Sequence, residues 1–248
     1  MPSKHKEFKG NHVFTNMDLS ELLGLLIIQL STLLIISIGA LFLTRIWPFR
    51  KDRVFGTLFS FILCITVLYI LVFLLRFPTS DINLVQRTGM LIPLSIFLFE
   101  AFAPFTGSLF AIYTIRPKFR KVWIYLLFIL VGIYIAIMAI YQPIYNEETE
   151  EWVLAGVTAY YLYVLVAMMF IPVGLFLFNL TKSKEGTDRR ISVLLFASFL
   201  MYALLGQLCD PLGLFPPIGP RRVLIALSLL LLYIGFMTPS WAAKILKI

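Results

Sequence analysis

The chain has 248 residues, 60% of them hydrophobic and 14% charged, with 21 Lys and Arg against 13 Asp and Glu for a formal net charge of +8. Together with a mean hydropathy of +0.92, this excludes a soluble domain built around one buried core. The basic surplus does not call for nucleic acid, because it sits in short links beside apolar runs, where anionic lipid headgroups attract each cation by about 1 kcal/mol.

Residues 1–18 form a polar N-terminal tail, and residues 19–248 read as one all-α, seven-helix transmembrane domain. The first apolar run, Leu19 to Thr44, is too long for the core of a signal peptide and lacks a small-residue cleavage site. It is followed by Arg45, Arg50, Lys51 and Arg53, which hold that end on the cytoplasmic side, so it reads as a retained helix. The second run is Val54 to Phe77, with Cys64 as a packing residue. The third, Thr88 to Ile115, carries Glu100 and leads into Arg116, Lys118, Arg120 and Lys121. The fourth is Val122 to Tyr141; the acidic stretch Glu147, Glu148, Glu150 and Glu151 after it reads as a solvated loop.

The fifth run, Trp152 to Leu180, contains Pro172 and Gly174, which mark a kink that is either a hinge or a packing adjustment. Trp152, Tyr160, Tyr161 and Tyr163 read as an outer aromatic belt, with Trp123 and Trp241 as the inner one. The Asn179-Leu180-Thr181 sequon falls at the cytoplasmic face and reads as chance. The sixth run, Ile191 to Leu208, places Ser198, Tyr202, Gly206 and Asp210 at four-residue spacing. Asp210, before Pro211, is more simply a turn residue than a ligand contact, and Cys209 is a packing residue. The seventh run is Val223 to Thr238. At about 1.5 Å rise per residue these runs cross a hydrocarbon core of roughly 30 Å.

Lys and Arg set orientation, because they resist translocation while acids matter little. One side carries fourteen: the two clusters above, then Lys182, Lys184, Arg189 and Arg190, then Lys244 and Lys247. The other carries seven: Lys4, Lys6, Lys9, Arg76, Arg87, Arg221 and Arg222. The N-terminus is therefore expected outside and the C-terminus in the cytoplasm, a multi-pass arrangement in the cell membrane.

Both histidines, His5 and His12, lie in the tail, so the bundle offers none for haem ligation, a zinc site or an acid/base relay. The seventh run has no lysine for a retinal Schiff base, and the spans hold neither an aspartate pair nor a Ser/His pair. No glycine-rich phosphate loop is present. The expected protein is not an enzyme and needs no cofactor or metal.

Glu100 stands near the bilayer midplane, where insertion of an acid costs about 2.5 to 3.5 kcal/mol and such residues usually face the bundle interior. Pro93, Ala103, Pro104, Gly107, Ala111 and Thr114 share its helical face. Leu91, Leu94, Leu98, Phe102, Phe105, Leu109 and Ile112 lie opposite and are expected to face lipid. Pro104 removes the amide that would bond the Glu100 carbonyl, making it a hinge candidate beside Pro172. Two readings of Glu100 stand: a neutral carboxyl hydrogen-bonded to a neighbouring helix, or a ligand contact or proton switch. Its candidate partners are Ser198, Tyr202 and Asp210 of the sixth run, and Gln29 of the first.

Three stretches resemble the seven-helix membrane sensor region of histidine kinases. They are Arg87-Thr88-Gly89-Met90-Leu91-Ile92-Pro93-Leu94, the passage from Asp210 through Pro211, Pro216 and Pro217 to Pro220, and Gly235-Phe236-Met237-Thr238-Pro239-Ser240-Trp241. Those proteins continue into dimerisation and kinase domains, whereas this sequence ends at Ile248. The resemblance therefore implies a stand-alone bundle acting through a separate partner, with no catalytic residue to carry over. The expected function is a membrane sensor that relays an external or lipid-borne cue to a cytoplasmic signalling protein. A proton-coupled transporter or transporter subunit using Glu100, and a scaffold of a membrane complex, are the alternatives. The expected partners are the lipid bilayer and that signalling protein; no oligomeric state follows.

Overall fold

The computed structural model describes residues 19–75, 91–146, 151–154, 156–183, 186–204 and 218–237. Among them are α1 (Leu19–Ile46), a 3-10 turn (Trp47–Phe49), α2 (Arg53–Leu75), α3 (Leu91–Ile115) and α4 (Arg120–Ile140). A small ribbon, β1 (Ile144–Asn146) and β2 (Glu151–Val153), leads to α5 (Gly156–Ala167), α6 (Phe170–Lys182), α7 (Thr187–Met201) and α8 (Ile218–Met237). Five stretches among the described residues are long and apolar enough to cross a membrane: Leu26–Phe49, Arg53–Leu74, Leu91–Ile115, Arg120–Ile140 and Gly156–Lys182. They expose Leu26, Leu30 and Leu34 on α1, and Phe128, Ile129 and Ile133 on α4. An apolar surface of that extent is stable against lipid and not against water.

Local chemistry sets the element ends. Asp52 caps α2, its Oδ1 accepting from the backbone amides of Val54 at 2.8 Å and Phe55 at 3.4 Å, which satisfies donors that a helix start leaves open. Arg116 closes α3 in the left-handed region, at φ 53°, with its amide bonded to the Ile112 carbonyl at 3.0 Å. That is the αL helix ending, usually built on glycine, and Pro117 follows because it cannot continue the helix.

Helices α1, α2, α3, α6, α7 and α8 pack in sequence around a closed ring, since α1 also packs against α8. The ring is filled by one core, which includes Phe42, Phe61, Phe110, Phe176, Phe199 and Tyr233. A second core, including Phe105, Ile112, Leu127, Tyr134 and Leu165, joins α4 and α5 to the other side of α3. Small residues permit the closest approaches. A Cβ on Gly39 would fall within the Thr66 side chain, and one on Gly107 would stand 3.1 Å from the Phe61 ring.

Several expectations change here. Phe105, Leu109 and Ile112 do not face lipid: they are buried, because α3 lies between two cores and every residue from Ala103 to Ile112 is covered. The small face is buried as expected at Pro93, Ala103, Pro104, Gly107 and Ala111, while Leu91 on the opposite face is exposed. The fifth run is not one helix from Trp152. Trp152 pairs with Tyr145 in the ribbon, and the helix starts at Gly156 and breaks at Met168 and Met169. The last helix begins at Ile218, five residues before the expected Val223, so Arg221 and Arg222 belong to the helix and not to a loop. Cys209, Asp210, Trp241 and residues 147–150 lie outside the described residues.

Candidate functional site

The end of the bundle that carries the links 47–52, 116–119 and 183–186 is its basic end; the other is the far end. Toward the basic end, Phe61, Phe110, Phe176 and Phe199 are each no more than 1% exposed. Phe199 stacks on Phe61 at 5.5 Å, on Phe176 at 5.5 Å and on Phe110 at 6.0 Å between ring centroids. Phe110 meets Phe236 edge-on at 5.3 Å. One ring from each of four helices thus closes the middle of the ring of helices, with offset and edge contacts each worth about 0.5–1.5 kcal/mol beyond burial.

Toward the far end, Arg222 is 6% exposed. Its Nη1 donates to the Thr32 hydroxyl and, at 3.5 Å, to the Ile28 carbonyl, and its guanidinium lies 5.9 Å from the Tyr69 ring centroid. Thr32 itself donates to the Ile28 carbonyl at 2.7 Å. This arginine therefore joins α1, α2 and α8 in the bundle interior. Such a group is expensive in an apolar slab, so its partners have to be built in. Gln29 is half-buried one residue along from Ile28. Sequence reasoning missed Arg222, because two successive arginines after Pro220 read as a link. On α8 it heads a buried stripe with Ala226, Leu229 and Tyr233.

Glu100 is half-buried on α3, and its carboxyl lies within electrostatic reach of the Tyr134 hydroxyl of α4. Tyr134 is fully buried and donates to the Phe97 carbonyl at 3.4 Å. Its ring stacks on Tyr161 of α5 at 6.4 Å and 18°. The Tyr161 hydroxyl is buried without a hydrogen-bond partner among the described residues, so Tyr161 is not part of the exposed belt that Tyr160 (75% exposed) and Tyr163 (39%) form. Tyr134 was also missed from the sequence, where it is one aromatic in an apolar run.

Two of the sixth-run candidates are described. Ser198 is buried and donates to the Ser228 carbonyl of α8 at 2.7 Å, so it ties two helices together. Tyr202 is 2% exposed and meets Phe61 edge-on at 5.6 Å; the chain widens to a π turn over residues 202–204. Of the hinge candidates, Pro104 sits within an unbroken α3. Pro172 lies just beyond the break between α5 and α6. Lacking an amide, it cannot bond the Met168 carbonyl four residues back. That carbonyl instead accepts the Ser108 hydroxyl of α3 at 2.8 Å and the Ile171 amide at 3.0 Å. Gly174 makes no close approach there. Asn179 donates to Ser192 at 2.9 Å, which engages the sequon amide in the contact between α6 and α7. Among the described residues no three of His, Cys, Asp and Glu stand together as metal ligands.

No protein-family model matches the chain, and no curated protein does.

Proposed function

We propose that the chain is a seven-span sensor of the cell membrane, with its N-terminus outside and its C-terminus in the cytoplasm, which passes an external or lipid-borne cue to a separate cytoplasmic protein. The observation that carries this reading is the aromatic plug across the ring of helices. The four stacked phenylalanines fill the middle of the ring of helices, Arg222 with Thr32 and Tyr69 ties α1, α2 and α8 by buried polar contacts, and Glu100 and Tyr134 meet where α4 packs on α3 outside the ring. A bundle interior filled by packed aromatic rings suits a cue passed on by helix displacement; a transport path needs polar lining from end to end. The break held by Ser108 and Pro172 supplies a joint through which α5 moves relative to α6. The resemblance of three stretches to histidine-kinase sensor regions favours the same class.

The test is reconstitution of the purified chain in liposomes under an imposed pH gradient. No solute uptake and no proton flux are expected, and mild detergent extraction should recover a cytoplasmic protein whose retention changes in Glu100→Gln or Arg222→Gln. Sustained proton-coupled uptake by the chain alone, abolished by Glu100→Gln in a folded variant, would establish the transporter instead.

A further inference from the structure

A cleft of about 400 Å³ opens at the basic end of the bundle, lined by Lys51, Asp52, Arg53, Val54, Tyr113, Arg116 and Arg120. It is an open surface cleft, whose charged lining residues Lys51, Asp52, Arg53, Arg116 and Arg120 are all exposed. Four cations meet one carboxylate there, and Asp52 already gives an oxygen to the amides that start α2. Three of the cations are arginines, whose planar forks fit phosphate oxygens two at a time.

The walls are fixed. On one side the Asp52 amide bonds the Phe49 carbonyl at 3.0 Å and the Gly56 amide bonds the Asp52 carbonyl at 2.7 Å. Arg50, by contrast, folds back over Trp47 at 3.6 Å and donates to its carbonyl at 2.7 Å, so it belongs to the wall and not to the lining. On the other side, Arg116 holds its place at φ 53°, a conformation that costs a non-glycine residue energy and persists where the surroundings demand it. Large aromatics flank both walls in the open: Trp47 at 53% exposure, Phe49 at 52% and Phe119 at 72%. Exposed aromatic rings beside cations at the end of apolar helices mark the headgroup level of a bilayer.

We propose that this cleft binds the phosphate of an anionic membrane lipid, with Arg53, Arg116 and Arg120 on the phosphate and the flanking aromatics on the acyl-chain side. The flanking rings select a lipid over a soluble phosphate. The proposal stands whether the bundle senses or transports.

Native mass spectrometry of the detergent-purified full chain, titrated with phosphatidic acid and with phosphatidylcholine, tests it. Phosphatidic acid should bind at low stoichiometry and phosphatidylcholine weakly. Arg53→Gln with Arg120→Gln should weaken phosphatidic acid by about 30-fold, at roughly fivefold per cation. Arg116→Gly, which removes the side chain while relieving the backbone, should lose binding with its melting temperature kept or raised. Arg45→Gln with Arg189→Gln removes two exposed cations of the same end that do not line the cleft, and should leave binding intact. Equal loss in that control would overturn the site, leaving only general attraction between charges. Displacement of the lipid by millimolar inorganic phosphate, or undiminished binding in Arg116→Gly, would overturn it as well.

Discussion

Arg222 is held by groups that belong to a helix nearly two hundred positions away in sequence, so its cost and its partners are shared between α1 and α8. Charge-assisted hydrogen bonds contribute about 1.5–3 kcal/mol, and truncating one partner leaves the other buried. Arg222→Gln and Thr32→Val are each expected to lower stability, and the double variant should lose less than the sum by about 1 kcal/mol, as read from a double-mutant cycle of thermal unfolding. Strict additivity would show that the two do not interact. Tyr161 carries the opposite expectation. Its buried hydroxyl has no partner among the described residues, so Tyr161→Phe should raise stability by about 1 kcal/mol; a loss of that size would reveal a bound partner. Glu100 could be found from sequence because an acid interrupts an apolar run. Arg222 and Tyr134 could not: a hydropathy pattern counts a guanidinium as polar without knowing which hydroxyl will meet it, and it cannot tell one buried tyrosine from an exposed one.

Among the elements, the join between α5 and α6 shows how one helix completes another. Pro172 leaves the Met168 carbonyl short of its usual donor, and Ser108 of α3 supplies one. Ser108→Ala is therefore expected to cost about 1 kcal/mol, the net worth of a typical hydrogen bond. Adding Pro172→Ala, which restores an amide at that position, should recover stability and straighten the helix. If Pro172→Ala is harmful in both backgrounds, the bend itself is what the bundle requires. The sequence located this feature through Pro172 but put the kink at the proline, whereas the break precedes it, because the missing hydrogen bond lies one turn back. The wheel drawn for α3 was right on its small face and wrong on Phe105, Leu109 and Ile112. One-sided burial assumes a helix at the rim of a bundle, and α3 is between two cores.

For the whole molecule, helix positions follow from apolar length, while the closed ring of six helices with α4 and α5 outside it depends on packing between distant segments and has no local signature. The ribbon Ile144–Asn146 with Glu151–Val153 was hidden because Glu151 belongs to the acidic run that reads as a loop, while Trp152 and Val153 read as the start of the fifth apolar run. The orientation proposed above is open to direct measurement. Cysteine in place of Thr149 should react with an impermeant thiol reagent on intact cells, and cysteine in place of Lys184 only after lysis; the reverse pattern would invert the bundle. The covering of α3 from Ala103 to Ile112 bears on how the chain is made. It is the least apolar of the five stretches able to cross a membrane, and Glu100 lowers its affinity for lipid further. During synthesis α3 leaves the ribosome after α1 and α2 and before α4 to α8, and α2 is its most extensive neighbour. The α2–α3 pair should thus enter the translocon's lateral gate together. A truncated nascent chain carrying α3 alone should integrate poorly in microsomes, and one that includes α2 should integrate well.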